Sequence, residues 1–202
     1  GQGIISEILP RKNYIIRKSV KLSKQSHIIA SNIDLALLLI TKDNPPTSFN
    51  FIDRFLVTCE AYQIPVILVY NKIDTYNEDD LFRISKIESI YKSIDYQCIR
   101  ISAKYGQGVN KISNYMQNKV CLLSGHSGVG KSTLINKINP ELDLKTKEIS
   151  VSHNQGKHTT TYAEMYDLKE NIRIIDSPGI KGFGLVDISK NELGDYFPEF
   201  FK

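Results

Sequence analysis

Gly125-His126-Ser127-Gly128-Val129-Gly130-Lys131-Ser132 is the stretch that decides the fold. It fits the pattern G-x-x-x-x-G-K-[ST], in which glycines let the backbone curl and turn its N–H groups onto phosphate oxygens. The apolar run Val120-Cys121-Leu122-Leu123 precedes it and Thr133-Leu134-Ile135-Asn136-Lys137 follows. Strand, loop and helix in that order are the context a phosphate loop requires, and the helix N-terminus adds a favourable field for an anion. Lys131 is expected to bridge the outer phosphates and Ser132 to hold Mg²⁺. Gly125, His126, Ser127, Gly128, Val129, Gly130 and Thr133 complete the expected nucleotide contacts.

Two segments upstream read as a base-recognition site. Asn71-Lys72-Ile73-Asp74 follows the apolar run at residues 65–70. Guanine presents its N1–H and N2–H₂ donors side by side, and one carboxylate accepts both. Asp74 would therefore select guanine over adenine. Asn71 would tie this loop to the phosphate loop, and the Lys72 stem would cover one face of the base. Ser102-Ala103-Lys104 closes the next strand, where the Ala103 N–H would meet guanine O6.

Downstream, Asp176-Ser177-Pro178-Gly179 follows the run at residues 172–175. Asp176 would hold Mg²⁺ through water, and the Gly179 N–H would contact the terminal phosphate. Between the two lies Gly156-Lys157-His158-Thr159-Thr160-Thr161. Thr160 is the expected switch threonine for Mg²⁺ and phosphate, with Thr159 and Thr161 as alternatives. The residue after Gly179 is Ile180, which neither donates nor accepts a proton. His158 is then the candidate for positioning the attacking water. All parts of a guanine-nucleotide hydrolase are present, but base motifs come before the phosphate loop. That rotated order implies a circularly permuted chain.

Periodicity supports an α/β fold. Strands are expected at residues 33–41, 65–70, 96–101, 120–123, 161–168 and 172–175. Ser48 is expected to open a helix carrying Phe51, Phe55 and Cys59 inward. Asn77-Glu78-Asp79-Asp80 should cap a second helix with Leu81, Ile84, Ile87, Ile90, Tyr91 and Ile94 inward. Residues 109–119, with Ile112, Tyr115 and Met116 inward, and residues 132–139 read as two more. Near-continuous apolar strands alternating with helices imply a parallel sheet covered on both faces. Residues 3–8 and 13–20 read as two short strands, the end of a small β-barrel. Residues 142–160 read as a long functional loop.

The 202 residues suffice for one full domain and a smaller appendage, and 41% hydrophobic with 24% charged residues is ordinary for a globular chain. No apolar run is long enough to cross a bilayer. The first residues carry no signal-peptide pattern, and the missing initiator Met suggests a partial chain. Cys59, Cys98 and Cys121 match no metal spacing and read as buried thiols of a cytosolic protein. Net charge is +4, concentrated in Arg11, Lys12, Arg17, Lys18, Lys21 and Lys24, with no acidic residue from 8 to 33. Such a stripe suits nucleic acid, and equally a solvated edge strand protected from aggregation.

In motif order, the His158-Thr159-Thr160-Thr161 box and Ile180, the chain resembles the circularly permuted small-ribosomal-subunit biogenesis GTPases, the RsgA or YjeQ family. The resemblance covers nearly all of it. It implies a partial OB-fold over residues 1–30, a permuted GTPase domain over 31–190 and the start of a zinc domain over 191–202. It implies GTP/GDP and Mg²⁺ as ligands, the small (30S) ribosomal subunit and its rRNA as partner, and a monomeric cytoplasmic enzyme without membrane attachment. The family's zinc ligands are absent from these residues, and Lys157 replaces a more usual Arg or Gln. Two alternatives stand beside it: a permuted GTPase of the large subunit, and an RNA-binding module with vestigial nucleotide chemistry.

Overall fold

A computed structural model describes residues 4–18, 26–144, 163–177 and 191–201. Strands β1 (Tyr14–Lys18) and β2 (Ser26–Ser31) pair antiparallel, with a register shift between Ile15 and Ile16. A strand was expected at residues 3–8, but residues 4–8 carry no regular structure, and Ile4, Ile5 and Ile8 are exposed. A segment with no neighbour to complete a ladder leaves its backbone groups to water. Asn13 fastens this hairpin to the segment leading into the main sheet. Its side-chain amide donates to Ile33 O at 2.8 Å, and its Oδ1 accepts from Ile33 N at 2.7 Å.

The main sheet then builds up as β3 (Leu35–Ile40), α1 (Phe49–Ala61), β4 (Val66–Tyr70), α2 (Glu78–Ser93), β5 (Gln97–Arg100), α3 (Val109–Met116), β6 (Val120–Ser124), α4 (Lys131–Ile138), β7 (Glu164–Leu168) and β8 (Ile172–Asp176). Its order is β5-β4-β3-β6-β8-β7. Neighbours pair parallel except β7, which pairs antiparallel with β8 as an edge hairpin. The last two strands, expected around a turn, form this hairpin, and the rest of the sheet is parallel as expected. A three-residue connection, Lys169–Asn171, is too short for a parallel crossover.

Two-residue periodicity divides β3 between two cores. Ala36, Leu38 and Ile40 pack with α1 and α2, while Leu35, Leu37 and Leu39 pack with α3 and α4. Val66 and Leu68 of β4 face the first core, Ile67 and Val69 the second. Covering both faces is why these strands are apolar at every position. Ser48 caps α1, its Oγ accepting from Phe51 N, and Phe51, Phe55 and Cys59 are buried as expected. Asn77 and Asp80 form a reciprocal capping box on α2, with Glu78, Asp79 and Asp80 in its first turn. Ile90 and Tyr115, expected inward, are exposed, because each lies on the far flank of a helix that touches the sheet along a narrow stripe. All three cysteines are free, Cys59 and Cys121 buried and Cys98 partly so.

Between β3 and β6 the chain reverses its direction of build. In open α/β sheets such a switch point, at the carboxyl ends of the strands, is where ligands sit. The loops after β4, β5 and β6 emerge at that end, and β8 stops there with Asp176.

Candidate functional site

The loop leaving β6 is shaped by three glycines in the left-handed half of backbone space: Gly125 at φ 139°, Gly128 at 88° and Gly130 at 102°. Two also allow close approach. A Cβ on Gly125 would stand 2.7 Å from Leu39 O, and one on Gly130 would collide with the Asn71 side-chain amide. Lys131 opens α4 and is 9% exposed. Its ammonium donates to Gly125 O at 2.9 Å and His126 O at 3.2 Å, so it lies folded back over the loop. Burial pushes its pKa down, and Asp176 pulls it back up. Ser132 and Thr133 are half-buried on the first helical turn, and Val129 is fully buried. The His126 ring lies 4.1 Å from that of Phe51 on α1.

Asn71 is 2% exposed and joins three loops. Its amide donates to Val129 O in the phosphate loop at 2.7 Å, and its Oδ1 accepts from Ala103 N at 3.0 Å. Ala103 N–H, expected at a base oxygen, is therefore already engaged within the protein. Lys72 sits at φ 63°, and its ammonium donates to Gly128 O at 2.8 Å and to Asn44 O. Burial lowers its pKa. Asp74 stands exposed in the short turn Ile73–Thr75. Ser102 is buried, its Oγ accepting from Tyr105 N at 3.3 Å, while Lys104 is exposed with its ammonium over the Tyr105 ring.

Asp176 ends β8. Its Oδ1 is buried without a hydrogen-bond partner. Burial pushes its pKa up to about 6, Lys131 opposes the rise and Glu164 adds to it. An orphaned carboxylate oxygen beside a buried ammonium is costly unless a cation or donor completes it. The donor set therefore fits a hard divalent ion held by Asp176 and Ser132. Ser177 is buried, its hydroxyl donating to Leu123 O at 2.9 Å. Gly179, Ile180, His158, Thr159, Thr160 and Thr161 lie outside the described residues.

The sequence did not point to Tyr76, Lys42 or Asn44. The Tyr76 hydroxyl donates to Asn71 O at 2.9 Å and accepts from Lys42 N at 2.8 Å. Lys42 in turn pairs with Asp80 at 2.6 Å. Only the proximity of Tyr76 to Asp74 hints at this role, since no motif requires an aromatic there. Of the basic stripe, Lys12 pairs with Asp34 at 2.9 Å. Arg17 and Lys18 fall on β1.

A family profile described as RsgA GTPase matches residues 8–186. The chain is 60% identical over 200 residues to a protein of Christiangramia forsetii called small ribosomal subunit biogenesis GTPase RsgA, covering 99% of this chain and 64% of that one. A protein of the same name from Bacteroides fragilis is 53% identical, over 100% of this chain and 65% of its own length. Among solved structures, YjeQ from Thermotoga maritima superposes with TM-score 0.78 at 36% identity, over 99% of this chain and 63% of that one. YloQ, described as a circularly permuted GTPase, gives 0.70 at 28% identity, over 96% and 58%. The chain thus spans just under two thirds of the curated relatives it matches. No helix among the described residues is long and apolar enough to cross a membrane.

Proposed function

The chain belongs to the RsgA GTPase family, and on that premise we propose that it binds GTP, hydrolyses it to GDP with Mg²⁺, and acts in late maturation of the small ribosomal subunit in the cytoplasm. The observation that carries the reading is the Asn71 clasp. One buried side chain holds the Asp74 loop, the Ala103 loop and the phosphate loop together across 58 residues of sequence. This tie supports reading the three loops as one nucleotide site.

Each residue has a definable task. The loop from Gly125 to Gly130 presents backbone N–H groups at the start of α4, suited to phosphate oxygens. Lys131 exchanges the two carbonyls it now holds for phosphate oxygens and places its positive charge where negative charge develops. Bound Mg²⁺ supplies further neutralisation of phosphate charge, held by Ser132 and Asp176, with Thr160 as the proposed third contact. His158 is proposed to position the water, and the Gly179 N–H to meet the terminal phosphate. Asp74 accepts the paired guanine donors, and Lys72 covers the base while its ammonium stays on Gly128 O. The proposed partner is the small subunit and its rRNA, met by a monomer.

Competition against a fluorescent GTP analogue tests the core of this. ATP should displace it at least about 100-fold less well than GTP, since the wrong base leaves Asp74 unpaired. Equal displacement by both would remove the guanine assignment. Turnover measured with purified small and large subunits tests the partner, the small one being expected to stimulate it selectively.

A further inference from the structure

A second concavity lies on the other side of the base loop. It opens between α1 and α2, above the ends of β3 and β4, and measures about 250 Å³. That approaches the low end of small-molecule pockets, roughly 300 Å³. Its floor is apolar: Ile40, Phe49, Ile52, Ile84 and Ile87. Tyr70 forms a wall. An apolar floor of this kind offers water few hydrogen-bond partners and favours an apolar occupant.

The rim carries Lys42, Asp80 and Arg83. Lys42 is committed, at 2.6 Å from Asp80 and 3.3 Å from Asp43. The same Asp80 oxygen also accepts from Asn77 N at 3.3 Å. Arg83 is exposed and makes no ion pair within 4 Å among the described residues, although its charge acts on the nearby Asp80 carboxylate. The rim therefore offers one open, planar set of donors next to an apolar floor. A guanidinium of this kind matches a carboxylate.

We propose that the α1–α2 cavity is a second ligand site, for a small organic carboxylate with a single-ring or branched apolar body. The body fills the floor between Phe49 and Ile87, and the acid meets Arg83. Occupation acts on the base loop through groups already joined: Lys42 on the rim donates its backbone N–H to Tyr76, whose hydroxyl holds Asn71 O. The coupling rests on the nucleotide-binding reading, whereas the binding does not.

The probe is 3-phenylpropionate, followed by ligand-observed NMR titration of the full chain, with and without saturating GDP. Saturable binding is expected. It should weaken at least roughly ten-fold in Arg83→Glu, which removes the charge match, and in Ile87→Trp, which fills the floor. The neutral 3-phenylpropanamide should bind at least roughly ten-fold more weakly than the acid. No saturable binding, or binding that survives Arg83→Glu, overturns the site. Circular dichroism checks the fold of both variants, and the exposed Arg83 decides if Ile87→Trp does not fold. Probe at saturation should change the release rate of a fluorescent GDP analogue by at least about two-fold, and an unchanged rate overturns the coupling. Failure of GDP to bind at all strikes the nucleotide reading, and the titration without GDP then decides the cavity by itself.

Discussion

Asp74 and Asp176 are two carboxylates with opposite situations. Asp74 is exposed and makes no hydrogen bond among the described residues, which suits a group that waits for a base. Asp74→Asn should weaken GDP by at least about 100-fold and favour xanthosine diphosphate, whose ring offers an acceptor where guanine has a donor. Calorimetry with both nucleotides measures it, and an unchanged preference would detach Asp74 from the base. Asp176 is held near a pKa of about 6 by burial. Below roughly pH 4 both folded and unfolded chains hold its proton. Between there and about pH 6 the unfolded chain releases the proton first, so stability falls as pH rises. Asp176→Asn should therefore raise metal-free stability at pH 7.5 by on the order of 1–2 kcal/mol and lose that advantage near pH 4. Urea midpoints at the two pH values measure it, and an equal gain at both would mean that the charge is not the cause. Sequence pattern singled out these residues because Asp74 follows β4 in a short motif and Asp176 ends β8. It could not find Tyr76 or Asn44, which act through a hydroxyl and a backbone carbonyl that no motif specifies.

Elements were legible wherever chemistry forces a choice. β3 and β4 could be read because a strand covered on both faces must be apolar throughout. The start of α2 could be read because Asn77 and Asp80 satisfy each other's backbone donors. β2 was not seen, because the polar Ser26 and Ser31 flank a run too short to show alternation. Gly130, where loop becomes helix, carries an expectation of this scale. Gly130→Ala puts a methyl against the Asn71 amide at a φ of 102° that alanine resists. The contact between the β4 and β6 loops should open. Nucleotide affinity should drop at least ten-fold, roughly 1.4 kcal/mol, while α4 and the sheet remain by circular dichroism. Ser127→Ala, on the exposed crest of the same loop, is the control and should keep most of the affinity. If both variants bind GDP as the wild type does, the Asn71 contact does not organise the site.

Across the whole molecule, charge and chain order set what the parts can do together. The basic residues of the first 24 positions cluster at the hairpin end of the chain, and Arg17 and Lys18 lie on β1. Against rRNA they would displace condensed counterions, so affinity for the small subunit should fall steeply with salt. Reversing both to Glu should weaken co-sedimentation and flatten the salt slope by roughly two charges' worth, leaving free GTP turnover unchanged. Equal, salt-insensitive binding by both proteins would take β1 out of the interface. Chain order also has a history in time. β3 hydrogen-bonds on one side to β4, which follows it closely, and on the other to β6, which begins at Val120. During synthesis at roughly 5–20 residues per second, Leu35–Ile40 therefore emerges several seconds before the strand that covers its second edge. A fully apolar edge is open for that interval, the condition under which nascent chains aggregate or are met by chaperones. On the proposed reading, the half of the site that would meet the base is made first and stays unfinished until the phosphate loop is translated.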